Sequence, residues 1–329
     1  MKLTKKELAS ICHGALRVEE NEQGEVCFYR FSKKGQAYYD TVENHRCKAY
    51  ATSSVRLEFD TDSASLSLEY YATCGSSRRF CYLDVFVDGV MVKHFGHDEL
   101  DEVASTLSLD LGAGKHRVAI YFPNLFALRV RSLTLDDGAS LEPVQKSRRL
   151  LLVGDSITQG YDARFPSQSY ANLLSDKLDA SPVNQAIGGE IFCPQILFDD
   201  LDFDPDLIIV AYGSNDWSRC RREELLQNAT LFFERLRHSY PGAKIFAVTP
   251  IWRADDHRTT GVGSFADAVR IITSAAQAQP GIVVLHGTGM TPHIPDFFSD
   301  GYLHPNDAGF KFYARALIRE ILPHLEAKE

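Results

Sequence analysis

The hydrophobic pattern of this chain changes character between residues 142 and 149, and that change limits the possible fold more than any single motif. Before it, SVRLEFDT (54–61) and SASLSLEYYAT (63–73) alternate apolar and polar residues, the period of a strand with one face in a core and one in water. CYLDVFVDGVMVKHF (81–95) reads as two such strands joined at Asp88–Gly89, a dipeptide that tolerates the positive φ of a tight hairpin. STLSLDLGAGKHRVAIYF (105–122) repeats that pattern around Gly112–Ala113–Gly114, and LFALRVRSLTLDDG (125–138) adds at least one more strand. After the polar stretch EPVQKSRR (142–149), the strand-like runs become wholly apolar: LLLV, LIIVAY, KIFAVTP and IVVLHG. They alternate with helical stretches near 167–179, 221–239, 263–279 and 307–321. Apolar strands separated by helices specify a parallel sheet covered on both faces.

The expected organisation is therefore an antiparallel β-sandwich of jelly-roll type over residues 1–146, followed by an α/β unit over 147–329. A length of 329 residues, at roughly 150 per domain, agrees with two units. The net charge of −9 repels polyanions and the basic residues form no long run, so nucleic acid is not an expected partner. No stretch approaches the roughly 18 apolar residues of a membrane span, and the first residues lack the apolar core of an export signal. The cysteines at 12, 27, 47, 74, 81, 193 and 220 form no CxxC pair, which suits reduced thiols and a cytoplasmic protein. No metal or other cofactor is expected: His286 and His293 have no carboxylate at ligand spacing.

The first apolar strand runs into GDSITQG (154–160), a glycine-bounded loop that presents a serine beyond the carboxyl end of a strand, where open α/β sheets bind ligands. It lacks the spacing of a phosphate-binding turn and, with Thr158 in place of a glycine, of a GxSxG nucleophile elbow. A plain structural turn remains the alternative. GDSIT resembles the first sequence block of the SGNH (GDSL-type) hydrolases, and three more blocks follow in that family's order. VNQAIGG (183–189) is similar to the second, YGSNDW (212–217) carries the Gly-x-Asn-Asp of the third, and DGYLHPND (300–307) resembles the last. The resemblance covers 148–322 and implies a flavodoxin-like hydrolase domain.

It also implies roles. Ser156 is the nucleophile, His304 its general base and Asp300 the orienting acid. The backbone N–H groups of Ser156 and Gly189 with the side-chain amide of Asn215 form an oxyanion hole. Serine needs such a base at neutral pH, and acyl transfer needs fixed donors for the charge that develops on the carbonyl oxygen. One departure stands out. The family pattern is Asp-x-x-His, whereas Asp300 precedes His304 by four and Gly301 takes the acid's place. Asp296 or a backbone carbonyl are the other candidates to orient the imidazole. Asp216 reads as a structural hydrogen-bond partner.

Asp155, Tyr161, Trp217 and Tyr302 lie close to these blocks in sequence and are candidate substrate contacts. Phe298, like Trp217 and Tyr302, is a candidate to stack on a sugar ring or line an acyl pocket, whereas Trp252 reads as packing and Arg164 and Arg253 as solvated surface charges. The β-rich N-terminal part resembles the domain that precedes the hydrolase in carbohydrate esterases of this type. That resemblance implies a small-molecule or oligosaccharide ester, acetylated, as substrate. A lysophospholipase or thioesterase, or a catalytically silent sugar-binding protein, are the alternatives.

Overall fold

The computed structural model describes residues 1–197 and 202–326. Its N-terminal part holds two antiparallel sheets. In spatial order the first runs Cys12–His13, Arg56–Thr61, His116–Tyr121, Cys81–Val87 and Val90–His97, with Glu142–Pro143 also pairing along Arg56–Thr61. The second runs Arg17–Glu20, Val26–Tyr29, Phe126–Leu135, Ser65–Cys74 and Glu102–Asp110. Leu57, Phe59, Leu83 and Ile120 of the first sheet meet Phe28, Leu68, Tyr70 and Val130 of the second in one apolar cluster. The alternation read in the sequence is this division: every second residue from Leu66 to Ala72 is buried.

Asp88 and Gly89 have φ of 51° and 77°, the left-handed pair that a two-residue hairpin requires. The segment around Gly112–Gly114 behaves differently. Glu102–Asp110 pairs with Ser65–Cys74, whereas His116–Tyr121 pairs with Arg56–Thr61 and Cys81–Val87 in the other sheet. The glycine loop is a crossing between sheets and not a second hairpin. Glycine and alternation mark a reversal in the chain but carry no information on which strand becomes the partner.

Three helices interrupt the strand-rich part: Lys5–Ser10, Lys33–Asp40 and Glu43–Tyr50. The first two start at Thr4 and Ser32, whose side chains accept from Glu7 N and Gly35 N. The last two also reach the second half, although Tyr50 keeps an edge contact with Tyr29 of the second sheet. Phe31, Tyr39 and Ala49 are buried with Leu151, Ile187 and Phe192 of the second half.

From Arg148 onward a parallel sheet forms in the order Ala180–Asn184, Arg148–Gly154, Leu207–Ala211, Lys244–Val248, Ile282–Leu285. The edge strand Ala180–Asn184 escapes a reading by pattern because Pro182 interrupts it. An edge tolerates proline since one side needs no ladder donor. Helices Tyr170–Lys177 and Asp307–Glu326 cover one face, and Arg222–Ser239 and Phe265–Gln277 the other. From Arg148–Gly154 the chain moves first to one neighbour and then to the opposite one. The crevice beyond Gly154 is thus a topological switch point, where open parallel sheets place their ligands.

Candidate active site

The nucleophile candidate is fixed locally. The strand ends at Gly154, Asp155 caps a four-residue helix, Ser156–Gln159, and Gly160 closes it in the left-handed region. The Asp155 carboxylate accepts from Ile157 N at 3.0 Å and the side chain is buried. Burial pushes its carboxyl up to about 6. Asp155 is therefore part of the loop's own framework and does not offer itself to a substrate. Ser156 sits at the first helical position, whose N–H has no partner within the helix.

The histidine comes from the other end of the chain. Ser156 Oγ lies 2.8 Å from His304 Nε2, and His304 Nδ1 lies 2.6 Å from Asp300 Oδ2. The side chains of Asp300 and His304 are 20% and 13% exposed, so the pair is shielded but reachable. Asp300 Oδ1 accepts from the backbone N–H of Tyr302, Leu303 and His304 at 3.0, 2.8 and 3.1 Å. Burial opposes its ionisation, yet His304 and these N–H groups outweigh that and hold the carboxyl well below the usual range. Gly301 has φ of 77°, and this left-handed residue absorbs the extra position between acid and histidine. Asp296 is not the partner; its backbone carbonyl instead accepts from Asn306 Nδ2.

An ionised carboxylate only accepts, so the proton of a neutral imidazole belongs on Nδ1 and leaves the Nε2 lone pair facing Ser156. A second carboxylate reinforces this assignment: Asp162 Oδ2 lies 3.9 Å from Nδ1. Arg78, from the N-terminal sheets' side, clamps Asp162 with contacts of 2.5 and 2.9 Å. Asp162, Asp300 and His304 bring their donor atoms within 4.8 Å of one another, a spacing a cation could use. Here Arg78 already supplies the positive charge to Asp162, and both imidazole nitrogens are engaged, so the group is a poor fit for a metal.

Gly189, with φ of 89°, belongs to a turn tied on both sides. Gly188 N donates to Gln159 Oε1 at 2.7 Å, and Asn215 Nδ2 donates to Glu190 O at 3.0 Å. Among the described residues no acceptor is recorded for Gly189 N–H. A side-chain amide carries two hydrogens, so Asn215 keeps one after the bond to Glu190. Asp216 accepts from Phe192 N at 3.0 Å, the structural part expected of it.

The aromatic candidates divide. Tyr161 lies buried with its ring centroid 5.8 Å from that of His304, so it packs against the imidazole. Tyr302 remains 41% exposed beside the histidine loop. Trp217, expected as a possible substrate contact, is fully buried against Phe265 and donates its indole N–H to Gly263 O. Its position after the Asn-Asp pair puts it on the inward side of helix Ser214–Arg219, and it has no free face for a sugar. Trp252 stacks on His293, and Phe298 is buried. Arg253 is not a surface charge: it is buried and donates to Ser214 O and Ser218 Oγ.

Several neighbours of the site could not be read from the sequence. Arg78, Lys48 and Arg219 carry no motif, and only folding brings them near residues 162 and 188–189.

Residues 152–312 match the model of the GDSL-like lipase/acylhydrolase family. The chain matches no curated protein. Among solved structures it is similar to a salicylyl-acyltransferase from a tetracycline biosynthetic pathway, with 22% identity, 96% of this chain and 94% of the other covered, and a TM-score of 0.80. It is also similar to a family two carbohydrate esterase from Cellvibrio japonicus (20% identity, 99% of each chain, TM-score 0.70). An acetyl xylan esterase from Butyrivibrio proteoclasticus is a further match (14% identity, 99% of this chain and 98% of the other, TM-score 0.66). At such identities these likenesses concern the fold, whereas the family match runs from Leu152, late in the strand before Ser156, through Gly189 and Asn215 to beyond His304. Residues 152–312 thus carry the pattern of the GDSL-like lipase/acylhydrolase family, and the chain is an ester hydrolase.

Proposed function

We propose that the protein is a serine esterase that removes small acyl groups, acetyl above all, from carbohydrate esters. The observation that carries the chemistry is the continuous line Ser156 Oγ–His304 Nε2 at 2.8 Å and Nδ1–Asp300 at 2.6 Å. His304 takes the serine proton as Oγ attacks the ester carbonyl, and Asp300 holds the imidazolium that forms. The developing oxyanion is met by the N–H groups of Ser156 and Gly189 and by Asn215. Collapse expels the sugar alcohol, which receives the proton from His304. Water then repeats the sequence on the acyl-enzyme and releases the acid.

The carbohydrate part rests on the architecture shared with carbohydrate esterases and an acetyl xylan esterase. In this reading residues 1–146 form a wall and a brace for residues 147–329 and not a separate sugar-binding module. Contacts across the division support it: Arg56 and Tyr121 reach Asp176, and Arg78 reaches Asp162. The seven cysteines are free thiols, which favours a reducing compartment.

Acetate release from acetylated xylo- and gluco-oligosaccharides, set against p-nitrophenyl esters of rising chain length, tests the substrate. Acetyl esters should turn over fastest. A preference for octanoyl or longer chains would point instead to a lysophospholipase or thioesterase. A fluorophosphonate should label wild type and spare Ser156→Ala, which a silent sugar-binding protein would not reproduce.

A further inference from the structure

The peptide between Gly188 and Gly189 is held from outside the hydrolase half. Lys48, on the N-terminal helix Glu43–Tyr50, donates from Nζ to Gly188 O at 2.6 Å. Gly188 O and Gly189 N–H belong to one peptide unit, and no cis peptide occurs among the described residues. In a trans peptide the C=O and N–H point in opposite directions. Whatever fixes Gly188 O therefore fixes the aim of Gly189 N–H, and a cation on the oxygen polarises the peptide so that its N–H becomes a stronger donor.

Lys48 itself is anchored. Its backbone carbonyl accepts from Arg30 Nη2 at 2.9 Å and from Gln159 Nε2 at 3.0 Å. Arg30 is fully buried and also donates to Ala51 O, and to Asn184 O and Ala186 O just upstream of the glycine turn. Gln159 completes a closed circuit. It lies three residues after Ser156, binds Lys48 O through its amide N, and accepts from Gly188 N through its amide O. The far side of the turn is held by Arg219, which donates to Gly189 O at 2.9 Å. Position 189 lies between these cations: a Cβ there would be at ordinary contact, 3.6 Å from Arg219 Nη1 and 3.7 Å from Lys48 Nζ, and its φ of 89° rather than lack of space favours glycine.

We infer that Lys48 is a positioning residue of the oxyanion hole, supplied by the N-terminal part of the chain, which aims and polarises the Gly189 N–H through the carbonyl of Gly188. The inference rests on the esterase reading above and gives the N-terminal part a share in turnover. Burial and the neighbouring Arg219 push the Lys48 ammonium down from its ordinary value, so it is a poorly hydrated donor that the carbonyl serves. Negative charge reaches the hole only as the carbonyl oxygen is attacked. The effect of Lys48 should accordingly fall on kcat and leave KM nearly unchanged.

The test uses the full chain and p-nitrophenyl acetate. Lys48→Met, which keeps the aliphatic stem, should lower kcat about tenfold to a hundredfold, less than the loss of a whole oxyanion donor, with KM within about twofold. Lys48→Arg should restore most of the rate, and fluorophosphonate labelling of Ser156 should slow in parallel with kcat in the Met variant. If Lys48→Met melts early, Lys48→Gln, shorter and uncharged but still polar, should show the same split. Lys48→Met with wild-type kcat overturns the inference, as does a raised KM at unchanged kcat, which would make Lys48 a substrate contact. Ser156→Ala separates the two failures: an active Ser156→Ala sinks the esterase reading, whereas an inactive one beside a fully active Lys48→Met sinks only the role of Lys48.

Discussion

The serine loop and the histidine loop reach the same point by different physical means. Ser156 follows a buried central strand, and its conformation is set within six residues by the Asp155 cap and the Gly160 turn. His304 stands on a segment whose only strand-like contact among the described residues is the single bridge between Phe298 and Pro305. That segment is shaped by one side chain: Asp300 gathers three backbone N–H groups on one oxygen and the imidazole on the other. Ser156 is thus placed by secondary structure, and His304 by the residue whose carboxylate also meets its imidazole. A loop built around its own acid explains how one additional position is accommodated, since the carboxylate sets the loop's path.

The sharpest way to break this comparison is to separate the two jobs of Asp300. Asp300→Asn keeps an oxygen for the backbone N–H groups but replaces the acceptor at Nδ1 with a donor, favouring the wrong tautomer. The turnover rate should fall by about a thousandfold or more with little change in melting temperature. Asp300→Ala should lose the same activity and also destabilise the protein by about 1–3 kcal/mol, because three N–H groups lose their acceptor. Equal melting temperatures for the two variants would show that the loop does not depend on the carboxylate.

A smaller effect is expected from the second carboxylate. Arg78→Met leaves Asp162 uncompensated beside His304, and a carboxylate near an imidazole favours its charged form. The acid limb of the kcat/KM profile should therefore move upward relative to wild type. Superimposable pH profiles would confine Arg78 to bracing the two halves.

The smallest effect concerns stability on the serine side. Burial raises the Glu190 carboxyl to about 7, beside Tyr39 and His45. Its unfolded value is about 4.3. Between those values the fold keeps a proton that the unfolded chain gives up, so this group stabilises below about pH 4 and loses that contribution as pH rises through 7. Glu190→Gln should shrink the drop in melting temperature between pH 5 and pH 7.5. Asp155 and Asp216, raised to about 6 and 7 by burial, act in the same direction and leave part of the slope in place. An unchanged slope would mean that Glu190 is ionised in the fold.

The sequence by itself determined what depends on short range. Apolar runs and their period gave the two kinds of sheet, glycine and aspartate gave the hairpin at Asp88–Gly89, and four blocks singled out Ser156, Gly189, Asn215 and His304. Tertiary structure decided what depends on chain segments distant in sequence. It chose Asp300 over Asp296, turned Trp217 into the core, sent the loop at Gly112–Gly114 across the sandwich, and brought Lys48 and Arg78 to the site. The physical reason is that periodicity and turn chemistry are properties of neighbours along the chain. Which arginine meets which carboxylate depends on how whole sheets pack, and a guanidinium needing a partner leaves the same trace in the sequence wherever that partner lies.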